Sequence, residues 1–171
     1  MVRANRWLVL LILLLAAGAL VLGYGDGAWW RGVWLGRGLE LEPLEVSQLP
    51  LPLVEAYGDR RWTEGVDAIW DPAAGTVHVL IRWGQRPTGG YQVLAKGARL
   101  VRRPLGWQVR VEAEYVSPSP GQPVIEVVTF PAAGARIVLG EGAPAQFTVV
   151  VYDQRGKVHG SAKPEPLTQN P

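Results

Sequence analysis

Two histidines, four serines, two neighbouring glutamates and one glycine-rich corner are the residues here whose types could do chemistry. A serine triad needs a hydroxyl, an imidazole and an acid brought together. Ser47, Ser117, Ser119 and Ser161 fall in edge, loop or tail contexts. His78 falls in a strand and His159 in the tail, and neither has a carboxylate or second imidazole at ligand spacing, so no metal is expected. Glu112 and Glu114 share one strand face and could form an acid pair. Arg110 lies beside them, and a solvated outer surface accounts for all three. The chain has no cysteine, which excludes a disulfide scaffold, a thiolate metal site and a Cys nucleophile. The expectation is a protein without catalytic apparatus, metal or cofactor.

The corner is Arg86-Pro87-Thr88-Gly89-Gly90-Tyr91, between a strand ending in Trp83-Gly84 and one beginning at Tyr91. Pro87 fixes φ and starts a turn, Gly89 and Gly90 allow positive φ, and Tyr91 presents a large amphipathic ring. Two readings stand: a β-turn anchored by Tyr91, or a protein-binding loop made of Arg86, Pro87, Thr88, Gly89, Gly90 and Tyr91. A phosphate cradle does not fit, because no helix follows and no Lys-Ser/Thr pair is present.

The elements that must position this corner are read as β. Thr76 to Gly84 places Val77, Val79, Ile81 and Trp83 on one face and His78, Leu80 and Arg82 on a mixed second face. Trp107 to Tyr115 alternates cleanly, with Gln108, Arg110, Glu112 and Glu114 toward solvent, which argues for antiparallel pairing. Further strands are expected at Leu39–Glu42, broken by Pro43 as an edge or irregular strand, and at Gly65–Trp70, Arg99–Arg103, Val124–Phe130, Arg136–Leu139 and Gln146–Tyr152. Leu49 to Leu53, with two prolines, reads as an extended strap on the sheet. The fold class expected is all-β: an antiparallel sandwich or barrel of about seven to eight strands, preceded by one transmembrane helix.

That helix comes from the N-terminus. Nineteen residues from Trp7 to Gly25 carry no charge, and at ~1.5 Å per residue they reach ~28 Å, enough for a bilayer core. Arg3 and Arg6 precede them, which favours a cytoplasmic N-terminus and a C-terminal domain outside the cytoplasm, on a single-pass cell-membrane protein. The expected organisation is a signal anchor or signal peptide at 1–25, a juxtamembrane linker at 26–38, a β domain at 39–158 and a disordered tail at 159–171. From Arg31 onward 15 basic and 14 acidic residues nearly balance, so a nucleic acid partner is not expected.

Residues from about Val77 to Val138 resemble the PrcB C-terminal domain family, named for a subunit of a bacterial surface protease complex. The resemblance is carried by Trp83-Gly84, the Arg86–Tyr91 corner and Val109-Arg110-Val111, then by Pro118-Ser119-Pro120-Gly121 and Val127-Val128-Thr129-Phe130-Pro131. The corner is carried over; the Thr129 region is not, because Phe130 stands where the family often has tyrosine. The corner is also similar, over five residues, to a loop of chagasin-type protease inhibitors. The resemblance implies an envelope module that docks on or stabilises another envelope protein, such as a protease, with direct inhibition as a variant. The alternative is a structural envelope domain that binds glycan or self-associates. Exposure of Trp62, Trp70 or Trp107 on one face would favour glycan, and burial of all three in the core would remove that support.

Overall fold

The computed structural model describes residues 36–140 and 142–167. The elements are β1 (Arg37–Leu44), a 3-10 turn (Val46–Gln48), α1 (Leu51–Arg60), β2 (Glu64–Asp71), β3 (Thr76–Trp83) and β4 (Gln92–Arg103). Then come β5 (Gly106–Val116), β6 (Ala132–Val138), β7 (Phe147–Tyr152), β8 (Val158–Ala162) and β9 (Glu165–Pro166). The expected membrane helix at 7–25 lies outside the described residues. Among those described, no helix is long and apolar enough to cross a membrane.

The mostly-β expectation holds, but the arrangement differs. One nine-stranded sheet runs β8-β7-β5-β4-β1-β6-β3-β2-β9 and curls into a half-barrel. The sheet is mixed: β5 pairs with β7 in parallel, as does β2 with the two residues of β9. The physical reason lies in the connection after β5. The chain crosses to pair β6 with β3 and β1, and β7 then returns beside β5 in the same direction.

Curling gathers the alternating apolar residues inside. Val77, Val79 and Ile81 of β3 meet Val109, Val111 and Ala113 of β5, Ala135 and Ile137 of β6, and Val149 and Val151 of β7. The second face of β3 is covered as well. Leu80 and Ile69 pack outside the sheet against Leu49 and Leu53. Truncating a buried leucine such as Leu53 to alanine costs about 2–5 kcal/mol, so this outer cluster is a real part of the fold.

Leu49–Leu53 is therefore not an extended strap. Pro50 caps α1 and Pro52 sits in its first turn, where a missing N–H breaks no helical bond. Leu53, Val54 and Tyr57 then share one helical face toward the sheet. The end of α1 is held by Arg82, which is 4% exposed. Its Nη1 donates to the Arg60 and Thr63 carbonyls at 2.6 and 2.8 Å, and its Nε donates to Asp67 Oδ2 at 3.0 Å. The guanidinium thus ties the last carbonyl of the helix to the turn that follows it.

Three further expectations are corrected. β1 does not stop at Pro43, although from Glu40 onward it is paired on one side only. It pairs with β4 only over Arg37–Leu39 and with β6 over Glu40–Leu44, so Pro43 needs a ladder on one side only. The facing stretch of β4 carries a bulge between Ala95 and Gly97, and a proline opposite a bulge keeps these two edges from zipping together. Val124–Phe130 is not a strand; its one bridge is Thr129 to Arg86. Prolines at 123 and 131 bracket it, and its backbone bonds go to the Arg86–Gly89 loop and to the Tyr57 hydroxyl rather than to a strand. Residues 159–167 are not a disordered tail. The Asp153–Gly156 turn reverses the chain into β8, antiparallel to β7, and Leu167 N donates to Trp70 O at 2.6 Å. The domain also begins within the expected linker, since β1 starts at Arg37.

Candidate protein-docking loop

β3 delivers the corner and β4 carries it away. Gly84 makes the exit from β3 possible. It sits at φ +74°, and a Cβ there would lie 2.9 Å from the Glu64 amide nitrogen. Arg86 then bonds the 117–131 connection in both directions: its N–H donates to Thr129 O at 2.9 Å, and Thr129 N–H donates to Arg86 O at 3.0 Å. Gly89 N–H donates to Ile125 O at 2.9 Å. Thr129 Oγ1 donates to the Thr88 carbonyl at 2.8 Å. The corner is clasped along its length by a segment some 40 residues later.

Of the paired glycines, only Gly90 takes positive φ, at +84°; Gly89 does not use the freedom expected of it. A Cβ on Gly90 would lie 3.2 Å from Pro118 and 3.3 Å from Val124, so both strain and crowding favour glycine there. Pro87 and Gly90 are exposed, and Arg86, Thr88, Gly89 and Tyr91 are half-buried.

The base of the corner is an aromatic stack. The Arg86 guanidinium lies 4.5 Å from the Trp83 ring centroid, a cation–π geometry. Trp83 meets Tyr91 edge-on at 5.4 Å and Tyr115 at 5.1 Å. His159 stacks flat on the far side of Tyr115 at 4.0 Å. Tyr115 is buried, and its hydroxyl has no partner among the described residues. Burial, with the negative fields of Glu64 and Asp153, pushes that phenol far above its ordinary range, against the opposing field of Arg86.

An apolar ridge runs beside the loop. Ile125 is 73% exposed, Val127 56% and Trp62 53%, and Val128 is exposed as well. Phe130 joins Trp62 to the clasp through an edge-on contact at 4.5 Å, and Arg61 lies over both rings. The ridge is continuous with the corner through Thr129. The sequence reading set Thr129 aside, and the structure makes it the loop's main tie. The signal available was its place among the residues that carry the family resemblance.

The glutamates and the histidine near the corner are otherwise engaged. Glu112 pairs with Arg99 at 3.0 Å and Glu114 with Lys96 at 2.8 Å, on an outward face. His159 lies in β8 and has two carboxylates, against expectation: Nδ1 faces Glu64 Oε1 at 2.5 Å and Nε2 faces Asp153 Oδ2 at 3.1 Å. Glu64 is 95 residues away in sequence, which is why spacing hid the pair. Burial raises the Asp153 carboxyl, but the Lys157 amide, the His159 ring and the Arg155 amide outweigh it and hold the group below its usual range. His78 is pushed down by burial and by Arg136, with Asp71 opposing. Among the described residues, no group of three or more His, Asp or Glu side chains is placed to hold a metal ion.

The three tryptophans considered for glycan stacking do not form a platform. Trp70 and Trp107 are half-buried against the inner core, Trp70 edge-on to Phe147 and Trp107 under Arg102. Trp62 is exposed at the ridge.

A protein-family model described as PrcB C-terminal matches residues 78–137. The match spans β3, the corner, β4, β5, the clasp and most of β6, and it excludes α1, β1, β2 and β7 to β9. No curated protein and no solved structure matches the chain.

Proposed function

We propose that the β domain is a binding module that docks on or stabilises another envelope protein, and that residues 7–25 hold it at the outer face of the cell membrane. The observation that carries the reading is the pairing of a loop clasped at Arg86, Thr88 and Gly89 with an exposed apolar ridge at Trp62, Ile125, Val127 and Val128. A rigid loop beside exposed apolar and aromatic side chains suits recognition, because little conformational entropy is lost on docking. The match to the PrcB C-terminal model supports a protease-complex component as the partner class. Whether a protease would be stabilised or inhibited follows from where its active site lies relative to the loop.

The test is affinity capture from detergent-solubilised membranes, using the full chain and a variant with Arg86, Thr88 and Tyr91 changed to alanine. The module reading expects at least one envelope protein enriched by the native chain and lost with the variant. Equal recovery by both would remove the loop from the account.

A further inference from the structure

The curled sheet has a seam. β8 lies at one end of the strand order and β2 is the second strand from the other end, yet the two pack together without a backbone ladder. A Cβ on Gly160 of β8 would lie 2.9 Å from Val66 of β2. The polar link across this seam is His159 to Glu64. The same imidazole, 9% exposed, holds Asp153 of its own turn with the other nitrogen. That turn also grips β5: Gln154 accepts from Tyr115 N at 3.2 Å and donates to Tyr115 O at 3.1 Å. One turn and one ring therefore fasten β5, β8 and β2 at a single point.

A ring with a carboxylate on each nitrogen has a definite proton requirement. Both nitrogens must carry hydrogen to donate to both acceptors, which only the imidazolium does. Neutral imidazole has one N–H, so one carboxylate would face a lone pair. The groups around the ring are Glu64 from β2, Asp153 from the turn and Tyr115 from β5, with Arg86 of the loop acting on Tyr115. From Tyr115 the contact continues through Trp83 to Tyr91 and Arg86.

We propose that His159 is a proton-operated latch: as imidazolium it closes the β8–β2 seam, and on losing its proton it loosens the seam and the aromatic stack beneath the Arg86–Tyr91 loop. The consequence for docking rests on the module reading. The seam itself does not, and its test needs no partner.

The test is NMR on the native chain across the titration of the His159 ring, with exchange protection of the Val158–Ala162 amides corrected for intrinsic rates. The latch expects protection to fall several-fold as the ring becomes neutral, and the Trp83 indole signal to shift with the same midpoint. His159→Gln should show the lower protection at every pH. If that variant does not fold, Glu64→Gln serves instead, and the ring's titration should then leave the seam unchanged. Protection that is constant through the ring's titration, or native protection in a folded His159→Gln, overturns the latch. Loss of docking without seam opening would count against the latch and leave the module reading standing.

Discussion

Thr129 Oγ1 donates to the Thr88 carbonyl at 2.8 Å, joining the tip of the corner to a segment that no strand ladder holds. It adds a side-chain tie to the three backbone bonds, Arg86 with Thr129 in both directions and Gly89 to Ile125, that hold residues 124–130 to the loop. Thr129→Val keeps the side-chain shape and removes the donor. It should lower stability by about 1 kcal/mol, as for a typical net hydrogen bond. Urea unfolding measures the loss, and faster amide exchange at Gly89 should accompany it. Unchanged exchange at Gly89 would mean the clasp is held elsewhere.

Gly84 is a second fixed point. Alanine there must adopt positive φ and strike the Glu64 backbone. The αL conformation alone costs roughly 1–2 kcal/mol for a residue with a Cβ, and the backbone clash adds to it. Thermal unfolding of Gly84→Ala should show a clear drop in midpoint, whereas Gly142→Ala, also at positive φ but in open space, should show a smaller one.

The inward residues of β3 and β5 were readable because strand periodicity is local: each residue's face follows from its neighbours. α1 was not, because Pro50 and Pro52 look like strand or strap residues until a helix start is placed between them. Parallel pairing of β5 with β7 was hidden because it depends on where the chain goes over some 30 intervening residues, not on either strand's pattern. The corner was legible from its Pro-Thr-Gly-Gly chemistry. Its clasp was not, because Thr129 meets Thr88 across a separation that no local rule spans. His159 was misplaced in a tail for the same reason, since Glu64 reaches it only through the curl of the sheet.

Arg82 gives a second large loss expected outside the inner core. Arg82→Met removes the donors at the end of α1 and leaves Asp67 paired only with Arg60, whose side chain is exposed. Breaking a buried ion pair by removing one partner costs about 3–5 kcal/mol. Urea unfolding should show a loss of that order, and α1 amides should exchange fastest. A loss under about 1 kcal/mol would mean the guanidinium's desolvation had offset its bonds.

His78 predicts a pH dependence with a definite sign. Burial and Arg136 hold its pKa below the usual 6.5, so the folded chain favours the neutral ring. The unfolded chain then binds more protons in the window just below that value, and folding loses stability as pH falls through it. The native chain minus His78→Gln, compared by unfolding midpoint from pH 8 to 5, should show a difference that is steady above 6.5 and declines below it. A difference that grows on acidification would contradict the assignment.

The ridge should matter to docking and not to folding. Ile125→Ser and Val127→Ser are exposed changes away from caps and ion pairs, and each should alter stability by less than about 0.5 kcal/mol. Docking should weaken while circular dichroism and unfolding midpoint stay native. Leu105, fully exposed in the turn joining β4 to β5, provides the control. The twelve residues of β4 separate it from the corner by roughly 40 Å.

Site-specific photo-crosslinking in intact cells brings these together. A photoreactive residue at position 62, 88 or 127 should capture one and the same envelope protein, and at position 105 should capture none of it. Equal capture of that protein from position 105, or a different set of neighbours at each ridge and loop position, would contradict docking through this face.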